Sequence, residues 1–234
     1  MLINQLFSVF LSKWPIKISI LLMIHRGKYL AVLALIILVS SCGPTYYSDS
    51  FIAFYFYYPK IELVVDEPQE GVIYCFPADK SKVLGSDTSR DGKLFKRINE
   101  ENGDCTYSRS RRYWAGFPTS TYPNIQRVDV TCDVDYDESH KAGESLNDIV
   151  MVEYSSYADF IERGYVGEEH KHRKVLLSEE PDFRIIQTED LLFQLNFQKA
   201  PSVIPATYNI KVTVEYADGK LESDAIECTF SSAI

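Results

Sequence analysis

Between Tyr208 and Tyr216 the chain alternates without a break. Tyr208, Ile210, Val212, Val214 and Tyr216 lie on one parity; Asn209, Lys211, Thr213 and Glu215 lie on the other. A period of two places every apolar side chain on one face of an extended chain, so this segment reads as a half-buried strand. It runs into Asp218-Gly219, a strong signal for a two-residue hairpin, where glycine supplies the positive φ that the turn demands. The returning strand carries Leu221 on one parity and Ile226, Cys228 and Phe230 on the other. A strand changes its buried face only by inserting an extra residue, so a bulge or bend is expected between Ser223 and Ala225.

The same period recurs twice. Val128, Val130, Cys132, Val134 and Tyr136 alternate with Arg127, Asp129, Thr131, Asp133 and Asp135, and Phe193, Leu195 and Phe197 alternate with Gln194, Asn196 and Gln198. Further strands are expected at Gly71–Phe76, Lys93–Ile98, Asp148–Tyr154, Lys174–Leu177 and Phe183–Gln187. The aromatic run Phe54–Tyr58 reads as a first strand, an edge strand packed against the domain and broken by Pro59. Asn102–Asp104 is a turn, and Tyr157–Arg163 is one short helix closed by Gly164. The 16 Tyr and 13 Phe favour strands throughout. Many short strands with turns between them predict an all-β fold, an antiparallel β-sandwich formed by one domain over residues 51–234. The stretch Lys199–Ser223, "KAPSVIPATYNIKVTVEYADGKLES", resembles the closing strands of an immunoglobulin-like domain, which implies that kind of sandwich.

The amino-terminal segment indicates location. Tyr29–Val39 is eleven residues without a charge. That is short of the roughly 20 that span a bilayer and suits the apolar region of a signal peptide. Arg26 and Lys28 stand directly before it. Val39, Ser40, Ser41 and Cys42 follow, an aliphatic residue and two small ones ahead of a cysteine. Residues 26–42 resemble the signal and lipobox of bacterial lipoproteins. The resemblance implies that Cys42 carries the lipid, begins the mature chain and ties it to a membrane. Met23 opens a complete signal peptide, so residues 1–22 read as a mis-called upstream start, 23–41 as the signal and 42–50 as lipidated cysteine and tether. Gly43-Pro44 begins that tether and cannot extend a helix. With the immunoglobulin-like stretch, this resembles envelope lipoproteins of the Bacteroidota. Their surface-exported members carry acids directly after the cysteine, whereas here the first acid is Asp49. The expected place is the outer membrane, on its periplasmic face.

Charge narrows the partners. Four of the 24 basic residues precede Cys42 and none of the 33 acidic ones does, which leaves 20 against 33 and a net of −13 beyond it. So acidic a chain offers no basic face to nucleic acid. A protein or a glycan is the expected partner, and no cofactor is called for.

With Cys42 lipidated, Cys75, Cys105, Cys132 and Cys228 remain. They permit two disulfides in three connectivities, of which Cys132–Cys228 with Cys75–Cys105 is the favoured one. No CxxC spacing points to zinc. Asp133, Asp135, Asp137 and Glu144 fall at positions 1, 3, 5 and 12 of an EF-hand-type calcium loop, but Glu138 stands where that loop needs glycine, and strand alternation explains the same acids. Glu168, His170 and His172 form a candidate metal set crowded by Lys171, Arg173 and Lys174, which favour a solvated charged loop. Arg109, Arg111, Arg112, Tyr113 and Trp114 could stack on a sugar or grip an anion. No GxSxG, HExxH or phosphate-binding glycine loop is present. The expected function is therefore that of a non-catalytic binding or structural accessory module anchored in the envelope. The alternative is an envelope hydrolase whose site is not written as a motif. A cleft lined by a histidine on a carboxylate would favour the enzyme, and a flat sheet with exposed Tyr or Trp the binder.

Overall fold

The computed structural model describes residues 46–48, 50–66, 69–79, 82–85, 90–107, 109–111, 117–188 and 191–231, with backbone only at 46–48, 90 and 109–111. The described residues of Tyr47–Arg109 and of 117–231 belong to one compact unit. In chain order the strands are β1 (Tyr46–Ser48), β2 (Phe54–Tyr57), β3 (Lys60–Val65), β4 (Val72–Ala78), β5 (Lys82–Gly85), β6 (Arg109–Arg111), β7 (Thr119–Thr121), β8 (Ile125–Cys132), β9 (Val150–Ser156), β10 (Lys171–Leu176), β11 (Phe193–Phe197), β12 (Ala206–Tyr216) and β13 (Leu221–Phe230). Helix α1 spans Arg90–Glu101 and α2 spans Ala158–Glu162; Leu177–Glu179 is a 3-10 turn. The described chain is mostly β, with few helices, as the alternation predicts.

β10, β9, β11, β4 and β3 form a five-stranded antiparallel sheet in that order. β13, β12 and β8 form a three-stranded antiparallel sheet, and β5, β2 and β7 form another in which β2 and β7 run parallel. The apolar parities meet in one core. Val128, Val130 and Cys132 of β8 and Tyr208 to Tyr216 of β12 pack with Ile73 and Cys75 of β4, Val150 and Val152 of β9, and Phe193, Leu195 and Phe197 of β11. Each fully buried residue of this kind is worth about 1.5–3 kcal/mol, which is why the alternating strands are held in register.

A second core lies under β2. Phe51, Ile52, Tyr55, Leu84, Phe95, Ile98, Tyr107, Phe160 and Ile161 cluster there. The Phe51 ring lies 5.3 Å from that of Tyr107, 5.3 Å from Tyr157 and 4.8 Å from Phe160, all edge-on. The run Phe54–Tyr58 is therefore not an edge strand; β2 lies between β5 and β7.

Four other expectations change. Lys93–Ile98 is helical. Phe95, Ile98 and Asn99 are buried while Lys93, Lys96, Arg97 and Glu100 are exposed, the three-and-four spacing of a helix. Asn102–Asp104 closes that helix, with Gly103 at φ 70° and the Asp104 N–H donating to the Asn99 carbonyl at 2.7 Å. Phe183–Gln187 makes only isolated bridges at Ile186 and Gln187. β13 carries no bulge: its pairing with β12 runs unbroken from Ala206–Phe230 to Glu215–Leu221. Leu221 simply faces solvent at 61% exposure, and Asp224, on the same parity as Ile226, accepts the Leu63 N–H of edge strand β3 at 3.0 Å. The irregularity lies instead between Glu215 and Tyr216, where β12 meets β8. The hairpin forms, but Tyr216 pairs with Lys220 across three residues, with Gly219 at φ 82°.

Candidate functional site

One row of side chains crosses the outer face of the five-stranded sheet. Lys174 of β10 stands opposite Glu153 of β9, Glu153 opposite Gln194 of β11, Gln194 opposite Tyr74 of β4, and Tyr74 opposite Val64 of β3. Alternation puts all five on the side away from the core, whose residues are their immediate neighbours Val152, Phe193, Ile73 and Leu63. Hydrogen bonds lock the row. Gln194 Nε2 donates to Asn196 Oδ1 at 2.8 Å, and Asn196 Nδ2 donates to Glu153 Oε1 at 3.1 Å. Lys174 Nζ also donates to Glu153 Oε1, and His172 Nε2 lies 3.4 Å from Oε2. Tyr74 Oη donates to Asp66 Oδ2 at 2.9 Å, which fixes the ring; the Phe76 ring lies 6.3 Å away at 48°. Beside Glu153 and Gln194 the row borders a groove of about 310 Å³, lined also by Ser155, His172 and Gln187. Ser155 and His172 stand opposite each other across β9 and β10.

The second polar cluster is buried. His140, in the loop after β8, places Nδ1 2.8 Å from Asp137 Oδ1 and Nε2 2.9 Å from Asp148 Oδ1. Lys199 Nζ donates to Asp137 Oδ2 at 2.6 Å. Burial alone would lower the His140 pKa, but the bonds and charges of Asp137 and Asp148 outweigh it and hold the imidazole above its ordinary value. Burial alone would raise Asp137; its bonds from Lys199, His140 and two backbone amides hold it well below the usual carboxylate range. With a carboxylate on each ring nitrogen, His140 is a charged crosslink, with neither nitrogen left to serve a nucleophile.

The calcium-loop acids are engaged within this same loop. Asp135 accepts the Ala142 N–H at 3.0 Å and Lys141 Nζ at 3.1 Å, and Glu144 accepts the Lys141 N–H at 2.7 Å. Asp133 is exposed, and among the described residues no group of three potential metal ligands gathers, so Asp133, Asp135, Asp137 and Glu144 do not converge as calcium ligands would. The strand ends at Cys132, so Val134, expected inside, is 47% exposed. Glu168, His170 and His172 likewise form no metal set: His170 packs edge-on to Tyr157 before β10 begins, while His172 lies on the strand beside Glu153. The charged stretch is thus largely a strand, not a loop.

The expected disulfides are not made: Cys75, Cys105, Cys132 and Cys228 are all free. Cys132 and Cys228 share the inner face, but β12 runs between their strands, with Cys132 opposite Ile210 and Cys228 opposite Tyr208. Two strand spacings of about 4.8 Å exceed the reach of a disulfide, whose Cα atoms lie within about 7 Å. Cys75 is buried in β4, whereas Cys105 is exposed after α1. Cys42 lies outside the described residues, as do Arg112, Tyr113 and Trp114; Arg109 and Arg111 contribute the backbone of β6.

A larger cavity of about 570 Å³ is lined by Arg127, Ser145, Asn147, Ser178, Glu180 and Phe183, among others. Its central polar groups serve the fold: Asn147 accepts the Val130 N–H at 3.1 Å and donates to the Val128 carbonyl at 3.0 Å, and Ser145 donates to Asp129. Sequence reasoning did not single out the outer row as a site, although it placed Gln194 and Asn196 on the polar parity of their strand.

Comparison with protein-family models, with curated proteins and with solved structures finds no match to this chain. Among the described residues no helix is long and apolar enough to cross a membrane.

Proposed function

We propose that this chain is a lipid-anchored, non-catalytic binding module of a bacterial envelope. In this reading Cys42 ties an immunoglobulin-like sandwich to the periplasmic face of the outer membrane, and the domain presents a sheet face to a partner. The observation that carries the binding role is the hydrogen-bonded row Lys174–Glu153–Gln194–Tyr74 on an open face. Strand order supports the fold. With β3, β4, β8, β9, β11, β12 and β13 as strands A to G, the sheets read A-B-E-D and G-F-C, and β10 is an addition beside D. Tyr208, near the start of β12, donates from Oη to the Val203 carbonyl at 2.9 Å, the tyrosine-corner bond expected at the E–F turn. The bridging cysteine of antibody domains is replaced by Ile210, two residues after Tyr208, and Cys75 stands unpaired on β4. The anchor rests on the lipobox resemblance of residues 26–42.

The hydrolase reading has one observation in its favour, His172 beside Glu153 in a groove. The other oxygen of Glu153 is taken by Lys174 and Asn196, which weighs against its orienting a catalytic base. Expression of wild type and Cys42→Ala in a bacterium with lipoprotein processing tests the anchor. Wild type should incorporate an alkyne fatty acid and pellet with membranes, and C42A should do neither; a labelled, membrane-bound C42A refutes the assignment. Protease added to intact cells should leave wild type uncut, and cleavage would move it to the surface.

A further inference from the structure

We infer that the outer face of the five-stranded sheet is a binding site for an uncharged oligosaccharide, with Tyr74 and Phe76 as its stacking platform and Gln194, Asn196 and Glu153 as its hydroxyl-reading row. The inference rests on the proposed role as a binding module and names the chemical class of its ligand.

A sugar ring has two kinds of surface, C–H faces that pack on aromatic rings and a rim of hydroxyls that both donate and accept. The face supplies both kinds of complement, side by side. Tyr74 and Phe76 lie on the same parity of β4, half-buried, their rings 6.3 Å apart. One strand over, Gln194 and Asn196 present carboxamides, each able to donate and accept. Beyond them Glu153, Ser155 and His172 line the groove of about 310 Å³. The polar groups are already oriented by one another, through the bonds from Gln194 to Asn196 and from Asn196 to Glu153. The tyrosine is held by Asp66. Binding therefore spends little side-chain entropy.

Charge selects among glycans. The row holds one cation and one anion, Lys174 and Glu153, and they neutralise each other. Around that pair the site offers amides, hydroxyls and a phenol, and its other charges are acids, Asp66 on the Tyr74 hydroxyl and Glu62 opposite Phe76. A sulfated or uronic-acid polymer would need an unpaired cation at the row and would approach a chain whose net charge beyond Cys42 is −13. An uncharged ligand meets neither obstacle.

The test uses the full chain, extracted in detergent, on a printed array of neutral hexose and N-acetylhexosamine oligomers with their sulfated and uronic-acid counterparts. Binding to a subset of the neutral oligomers is expected. Tyr74→Ala and Gln194→Ala should each weaken it about tenfold or more. Thr207→Ala, at an exposed position on β12, should leave it unchanged, and equal melting temperatures would exclude unfolding as the cause. Binding to no neutral oligomer, binding to charged ones alone, or binding indifferent to both Y74A and Q194A overturns the inference while leaving an anchored module intact. Mass spectrometry of the recovered oligomers separates the two levels: intact glycans support binding, and cleaved ones overturn the non-catalytic reading itself.

Discussion

Replacing His140 with alanine should cost about 3 kcal/mol and abolish a pH dependence that the wild-type chain carries. His140 joins two carboxylates in different settings. Asp137 is almost wholly buried, and in the variant it keeps Lys199 Nζ at 2.6 Å and the backbone N–H groups of residues 139 and 140 at 2.8 and 3.0 Å. It loses one short charged bond, worth about 1.5–3 kcal/mol. Deleting a buried ring leaves a void that adds about 1 kcal/mol. Asp148 is mostly exposed, returns to water and contributes little. In a domain of this size about 3 kcal/mol corresponds to a melting temperature lower by about 6–12 °C.

The pH arm follows from the same geometry. The His140 pKa is raised in the fold, so its contribution is fully present below the ordinary imidazole value of about 6.5 and is lost as pH rises through the raised one. Asp137 works in the opposite sense: its pKa is depressed, so its contribution is present above the ordinary carboxylate value and disappears only in strong acid. Neutral imidazole can donate to one carboxylate but not to both, so deprotonation sets a lone pair against an anion. Urea unfolding followed by tyrosine fluorescence at pH 6 and pH 9 should show wild type losing stability at the higher pH and His140→Ala losing markedly less. Asp148→Asn should fall between them. Parallel pH curves for wild type and H140A, or a loss below about 0.5 kcal/mol at pH 6, would refute the charged-crosslink argument.

Two further outcomes are expected. Asp104→Ala should destabilise the second core by about 2–4 kcal/mol, because the buried N–H groups of Phe51 and Ile52, now 2.6 and 2.8 Å from its carboxylate, would lose their acceptor; calorimetry checks this. Of Cys75, Cys105, Cys132 and Cys228, only Cys105 should react promptly with a thiol reagent in the native, unreduced domain, and all four should react after unfolding. Burial pushes the Cys228 thiol up to about 12 and the Cys75 thiol higher still. Fewer than four on unfolding would mean that a disulfide forms after all.

Where a segment's period set its environment, the sequence was readable. Phe193, Leu195 and Phe197, and the five apolar residues of β12, are all buried as their alternation requires. Reading failed where two periods fit. Lys93–Ile98 holds three apolar residues that serve a short strand or one helical face, and only packing against Tyr55 and its neighbours decides for the helix. It failed again where cysteine parity stood in for distance: facing inward from the same sheet does not bring β8 next to β13. The outer row was half legible, since the polar parity of β11 can be read, but the alignment of Lys174, Glu153, Gln194, Tyr74 and Val64 needs four registers that no single strand encodes.

The acidic excess illustrates what a residue count conceals. Thirty-three carboxylates read as a solvated surface, yet several accept backbone N–H groups at the limits of the strand ladders, and three show the pattern. Asp224 accepts the Leu63 N–H on the open edge of β3, Asp104 accepts Phe51 and Ile52 just before β2, and Asp137 accepts Ser139 and His140 just past β8. Each takes up donors that have no strand to pair with, and an unmet buried N–H costs about as much as a lost hydrogen bond. Asp104 and Asp137 are buried, and Asp137 carries a lysine and an imidazolium to balance its charge. A turn acid and a structural acid look alike in sequence, because what separates them is the distant segment that docks on each: residues 51–52 on Asp104, Lys199 on Asp137, and β3 on Asp224.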